Sequence, residues 1–242
     1  VSLNLLQDET GNPQETVGLF NGLNDDFILA RRRPAPDDSH QPNSQYVNMS
    51  RQQLQALIGN LHLLLELTAR PLSDISMQDN DNGKLPSIEL PETPTWTPSR
   101  RKSVLEWLSQ SYSVPTLLYM LDCALTKQRL IIRNAPRRLK DRLDLVEGLM
   151  MLVPSISRPD LTFTTHAINA KLAKARITFS EIEETGARHV VDLQALTDDA
   201  DYSYTTEYTQ MLANVWHDDL ATFMTDLRAL DLIAGHMLAG MP

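Results

Sequence analysis

Six histidines, at positions 40, 62, 166, 189, 217 and 236, give this chain its main material for metal binding or proton transfer. There is no H-E-x-x-H pair and no histidine with a cysteine at zinc spacing, so a zinc site has no support. His217-Asp218-Asp219 is the nearest constellation. Adjacent residues on a helix point in different directions, so these three cannot converge on one ion, and a solvated helix face is expected. His166 ends a predicted strand, where α/β proteins place functional groups beyond the sheet. Thr164 and Thr165 beside it carry hydroxyls suited to a phosphate or a turn, which makes Thr165 and His166 the candidate for an enzyme site. The competing explanation is that threonine is simply a good strand residue. His189 and Asp192 fall on opposite faces of their strand and form no local dyad. Cys123, the single cysteine, sits among apolar residues at helical spacing and reads as a small core residue.

Nucleophile and phosphate motifs are missing. No G-x-S-x-G occurs, and the nine glycines never cluster before a helix, so neither a Walker loop nor a dinucleotide fingerprint can be drawn. The residues call for no cofactor and no metal. The unusual feature is basic. Lys127, Arg129, Arg133, Arg137, Arg138, Lys140 and Arg142 are opposed only by Asp141. Several surround a predicted helix start, where exposed N–H groups favour anions and where cations oppose the helix dipole. Arg129, Arg133, Arg137, Arg138, Lys140 and Arg142, with Thr165 and His166, are therefore the candidate partner- or anion-binding residues. The alternative is a solvated face, packed against the chain's own acidic end. Nucleic acid ranks behind protein as a partner, because the aromatic interleaving that single-strand binders use for stacking is absent.

The elements that position these groups follow from periodicity. Leu117, Leu118, Leu121 and Leu125 recur at helical spacing, and Leu130-Ile131-Ile132 between two arginines fits a short strand buried on both faces. Asn134 is a candidate N-cap with Pro136 in the first helical turn. Leu139, Leu143, Val146, Leu149, Met150 and Val153 form one apolar stripe, ended by Pro154. Leu161 to His166 then alternates as a strand. The expectation is a parallel β-α-β unit with the strands near 131 and 163 side by side.

Towards the N-terminus, Phe27 to Ala30 and Gln45 to Met49 predict a hairpin. Ser50-Arg51-Gln52-Gln53 is a capping box before a helix that runs to about Thr68. Residues 70–101 hold five prolines and a polar run, so a linker or long surface loop is expected, with Trp96 anchoring it. A short helix from Ser103 to Gln110 follows. Ala175 to Ser180 and Arg188 to Leu193 alternate as further strands. Tyr208 to Trp216 and Leu220 to Leu230 carry helical stripes that form one helix or two. The expected organisation is an N-terminal α+β piece (1–69), a linker (70–101) and an α/β domain with C-terminal helices (102–242). The fold class is α/β: a small mixed sheet with a parallel β-α-β unit flanked by helices and a long C-terminal helical segment.

The 242 residues suffice for a sizeable core, and the 42% hydrophobic and 22% charged shares are those of an ordinary globular protein. No apolar run reaches the ~20 residues that span a bilayer. The single cysteine fits a reducing cytoplasm, the expected location; the first residues show no signal peptide, and with no initiator methionine, processing or excision from a longer chain stays open. Residues 181–242 carry twelve acidic against two basic residues, a net of −10, which leaves +1 for the rest of a chain totalling −9. Acidity is therefore confined to one end.

Ala124-Leu125, Arg129 to Ile132, the helix Leu143 to Val153, Val153-Pro154 and Leu161 to His166 together resemble the middle region of the bacterial GTPase-associated protein family. Gly18 to Leu67, with Phe27 to Arg33 and Tyr46-Val47, resembles the sheet-forming region that precedes it there. The helix–strand–helix order is also loosely similar to the core of DENN domains. The resemblance is one of pattern over about half the chain, and this sequence departs from it by having less N-terminal sheet. It implies a module that assists or regulates a GTPase within a larger multidomain protein, and it carries no catalytic residue. Oligomeric state is open.

Overall fold

The computed structural model describes residues 6–7, 13–34, 43–57, 61–67, 97–126, 128–170, 173–182, 189–194, 203–217 and 219–239. Its strands are β1 (Leu6–Gln7), β2 (Pro13–Gln14), β3 (Thr16–Asn21), β4 (Asp26–Arg33), β5 (Asn43–Ser50), β6 (Leu130–Arg133), β7 (Phe163–Thr164), β8 (Ile177–Phe179) and β9 (Val190–Asp192). Its helices are α1 (Arg51–Leu57), α2 (Leu61–Leu67), α3 (Pro98–Ser111), α4 (Val114–Leu125), α5 (Leu139–Leu152), α6 (Glu207–Val215) and α7 (Leu220–Ala239), with a 3-10 turn at Ser155–Asp160. Seven of the described strands form one mixed sheet in the order β5-β4-β3-β7-β8-β6-β9, an α/β architecture flanked by helices.

Cross-strand register explains why the sheet holds. Val47 opposes Leu29, Leu29 opposes Leu19, Leu19 opposes Phe163, Phe163 opposes Ile177, and Ile177 opposes Leu130. One apolar row thus crosses six strands. These residues join helical side chains such as Leu117, Leu149 and Leu212 in a single core. Fully burying each large apolar side chain contributes about 1.5–3 kcal/mol. The hairpin and the α/β piece share this sheet, because β3 pairs antiparallel with β7.

Two expectations need correction here. β6 and β7 point the same way but are not neighbours: β8 lies between them, parallel to both. Two-residue β7 cannot satisfy the ladder of four-residue β6, whereas Ile177 and Phe179 of β8 set their large side chains beside Leu130 and Ile132. Asn134 does not cap α5. It adopts a left-handed φ of 50°, which asparagine tolerates in a turn, and α5 starts at Leu139 with Pro136 in the preceding loop.

Other boundaries also move. Pro98 opens α3 rather than belonging to the linker, since a proline's missing N–H costs nothing at a first helical position, and Thr97 caps the helix by accepting from the Arg100 N–H. The box at Ser50 is present: its hydroxyl accepts from the Gln53 N–H at 3.2 Å, while Gln53 Oε1 accepts from the Ser50 N–H at 2.8 Å. The predicted helix to Thr68 is described as α1 and α2; residues 58–60, most of the 70–101 segment and Trp96 lie outside the described residues. The C-terminal stripes form two helices. Asp219 caps the second by accepting from the Ala221 and Thr222 N–H groups, so His217 and Asp219 lie outside both helices rather than on a helix face, and Asp218 is outside the described residues.

Helix α3 crosses α5 where Gly148 leaves room for Leu108; a β-carbon there lies 2.9 Å from a Leu108 methyl. Alongside, Arg100 reaches Glu147 Oε2 at 2.6 Å and Asp144 Oδ1 at 2.8 Å, and Lys140 also pairs with Asp144. Replacing Gly148 by alanine gains helix propensity of about 1 kcal/mol but overpacks the crossing by about 1–3 kcal/mol. The expected net is a loss of about 1 kcal/mol in a thermal melt, recovered when Leu108 is shortened to valine.

Candidate functional site

Strands β6, β8 and β9 run parallel, so their carboxyl ends finish at one edge of the sheet. Such edges are where open α/β sheets hold ligands, because the backbone turns there and helix N-termini approach. A polar cleft of about 760 Å³ opens at this edge. Arg137, Arg138 and Asp141 line it from the start of α5, Asn134 from the turn after β6, Glu181 from beyond β8, and Leu193 and Gln194 from beyond β9. Trp107 and Tyr112 of the α3 region form the facing wall, their rings edge to face at 5.8 Å.

The turn at Asn134 organises the cleft floor. Its left-handed backbone swings the amide towards β9, where Nδ2 donates to both Asp192 oxygens at 2.8 and 2.9 Å. This ties two strand ends together. Arg138 takes the capping position of α5 but makes no side-chain capping bond; its carbonyl accepts from the Asp141 and Arg142 N–H groups at 3.2 and 3.3 Å. That end of the helix favours negative charge, and two arginines beside it favour it further. Tyr112 keeps its proton, its pKa pushed up to about 12 by burial and then by the nearby Asp141 charge.

The predicted basic face is divided among different environments. Arg137 and Arg138 are exposed on the cleft. Arg133 is half-buried at the carboxyl end of β6. Arg129 precedes the opposite end of that strand, ~13 Å away at the usual rise per residue, and donates to the Ala170 carbonyl at 3.2 Å. Lys140 pairs with Asp144. Arg142 is fully buried: it donates to the carbonyls of Pro136 at 2.6 Å and Thr165 at 2.7 Å and to Glu181 Oε1 at 2.8 Å, with its guanidinium 5.5 Å from the Phe179 ring centre. It is part of the scaffold behind the cleft, not a docking residue. Burial pulls its pKa below the ordinary arginine value, and the hydrogen bond and charge of Glu181 act against this. Lys127 lies outside the described residues.

Thr165 and His166 also separate. The Thr165 hydroxyl accepts from the Val17 N–H at 2.9 Å and donates to the Val17 carbonyl at 3.0 Å, so it stitches β7 to β3. His166 is half-buried with Nδ1 lacking a hydrogen-bond partner, and burial, then the Arg142 charge, push its pKa down while Glu181 opposes them. The imidazole is neutral at pH 7. His189 meets Tyr119 instead of Asp192, with Nδ1 3.3 Å from the phenol oxygen. Cys123 is buried at 3% exposure, and burial pushes its thiol up to about 11 despite a hydrogen bond from Tyr119, so no thiolate nucleophile forms at neutral pH. His40 and the His62 side chain lie outside the described residues.

Among the described residues, no group of three or more His, Cys, Asp or Glu side chains is placed to hold a metal ion. No described helix is long and apolar enough to cross a membrane. What the cleft offers is recognition of a negatively charged group against an aromatic wall. Trp107, Tyr112, Glu181 and Gln194 were not foreseen, since each arrives from an element distant in sequence from the basic segment. Asn134 gave a local signal, but its amino-acid type serves a cap and a left-handed turn equally well. Comparison of the chain with family models, with curated proteins and with solved structures returns no match.

Proposed function

We propose that this chain is a non-catalytic interaction module whose cleft at the carboxyl ends of β6, β8 and β9 docks an acidic segment of a partner protein. One observation carries the reading: Arg137 and Arg138 stand exposed together on a polar cleft, at a helix start with no side-chain cap, opposite Trp107 and Tyr112. Arginine and aromatic residues are the side chains that most often supply binding energy at protein interfaces. The resemblance to GTPase-associated proteins gives the partner class, a GTPase or related NTPase, within a larger cytoplasmic assembly.

Reversing both charges, Arg137→Glu with Arg138→Glu, is expected to weaken partner capture by about 10–100-fold, in line with two charge-assisted contacts at ~1.5–3 kcal/mol each, partly screened. The thermal midpoint should stay within about 2 °C, because both side chains are exposed. The assay is affinity capture on wild-type and variant chains, with the recovered NTPase identified by mass spectrometry. Equal recovery on both would end the proposal. The uncapped start of α5 also favours a second reading, a nucleic-acid or free-anion ligand in the same cleft. A gel shift that fades steeply with salt would identify that case.

A further inference from the structure

Away from this cleft, three arginines from three elements gather where α3, the 3-10 turn and α7 pack. They are Arg101, Arg158 and Arg228, with Asp231 and Tyr208 among them. Both oxygens of Asp231 are engaged: Oδ1 accepts from the Ser155 N–H at 2.7 Å and Oδ2 from Arg158 Nη2 at 3.2 Å. Arg158 also donates from Nε to the Val153 carbonyl at 3.1 Å, and Tyr208 donates to the Leu152 carbonyl at 2.6 Å. Arg101 is left over. It is half-buried, and its Nε and Nη2 are shielded from solvent without any hydrogen-bond partner.

Among the described residues, three guanidinium groups here face the carboxylate of Asp231, an excess of positive charge. A groove of about 390 Å³ between α3 and α7 shares Arg228 with this cluster; Pro98, Ala221 and Met224 give it an apolar floor, and Ser99, Lys102 and Thr225 line it with Arg228. Burial, followed by repulsion from Arg158 and Arg228, lowers the pKa of Arg101, with Asp231 opposing. A shielded cation whose donors are unmet, set beside like charges, is a cost that packing alone does not explain. An oxyanion with several acceptor oxygens would meet both the charge and the donors.

We infer that a compact oxyanion of the phosphate class binds in this groove, held by Arg228 and Lys102, with Arg101 turning its unmet donors towards it. Arg158, fixed by Asp231 and Val153, supplies a stationary positive wall. The site is separate from the cleft and includes neither Arg137 nor Arg138, so each can fail without the other.

The test is thermal unfolding of the full chain in inorganic phosphate and in phenyl phosphate, each against chloride at matched ionic strength. Wild type should gain a saturable rise in Tm. A lower half-saturating concentration for phenyl phosphate identifies a phosphate monoester as the ligand, and a lower or equal one for inorganic phosphate identifies the free ion. Arg101→Met should match or exceed wild-type Tm in chloride, because an unpaired cation has been removed, and should lose the phosphate response. Arg228→Gln, an exposed change that leaves folding intact, should raise the half-saturating concentration about tenfold, as loss of one charge-assisted bond predicts. An equal Tm of wild type in phosphate and chloride overturns the inference, as does a phosphate response retained in Arg101→Met or an unchanged half-saturating concentration in Arg228→Gln.

Discussion

Replacing Arg142 by alanine should lower the free energy of unfolding by about 3–5 kcal/mol, from the carbonyls left without a donor and the cavity left in the core. The side chain is completely buried and answers the carbonyls of Ala135, Pro136 and Thr165. Arg142→Met, which keeps most of the volume but none of the donors, should cost less than alanine. Glu181→Ala should cost about 1–3 kcal/mol, less than Arg142→Ala, because the carboxylate is 43% exposed and Arg142 keeps its carbonyl partners while losing its counter-charge. Urea unfolding of the three variants separates these contributions, and midpoints that rank Glu181→Ala as the most damaging would contradict the picture of Arg142 as a backbone clamp.

The second large effect is expected at Asp122. This residue of α4 is 7% exposed, and its Oδ1 accepts from the N–H groups of Thr205 and Thr206 and from the Thr209 hydroxyl at 2.9, 2.7 and 3.0 Å. It therefore caps the approach to α6 from a separate helix, beyond the Thr206 hydroxyl that answers the Thr209 N–H. Asp122→Ala strands those donors and should cost about 2–4 kcal/mol, a charged acceptor being worth about 1.5–3 kcal/mol per bond with incomplete additivity.

Acid should reproduce part of that loss. Burial raises the Asp122 pKa, but the hydrogen bonds from Thr206, Thr205 and Thr209 outweigh it and hold the carboxyl below its ordinary value. A depressed folded pKa means stability that is complete above the unfolded value near ~4 and is lost as pH falls through the folded one. The stability gap between wild type and Asp122→Asn should therefore be constant from pH 7 to about 5 and narrow below about 4. Urea titrations at pH 7, 5 and 3 measure it. A gap that widens on acidification would refute the assignment.

Much of the fold could be read from local pattern. The stripe from Leu143 to Val153, the run Leu130-Ile131-Ile132 and the box at Ser50 and Gln53 each depend on neighbours within a few residues, and each forms as its pattern dictates. What escaped was set at long range. The insertion of β8 between β6 and β7 depends on which apolar residues align across the sheet, which no single strand reveals. The basic run looked like one surface because spacing along the chain says nothing of depth: Arg142 is buried, Arg129 lies at the far end of β6, and Arg137 and Arg138 alone reach the cleft together. Pro98 has the sequence signature of a breaker although it occupies the one turn of a helix where proline is welcome. The aromatic wall was invisible for the same reason as the sheet order, since Trp107 and Tyr112 meet the strand ends only through tertiary packing.

The antiparallel pairing of β3 with β7 has a bearing on how the chain comes off the ribosome. Val17 must wait for Thr165, 148 residues downstream, before that side of β3 is covered. At a synthesis rate of about 5–20 residues per second, the wait is ~7–30 s. During that interval the nascent hairpin offers an open, largely apolar flank to any extended peptide nearby. Expression at low temperature, which lengthens the interval, is then the condition under which a holding chaperone matters most to the yield of folded protein.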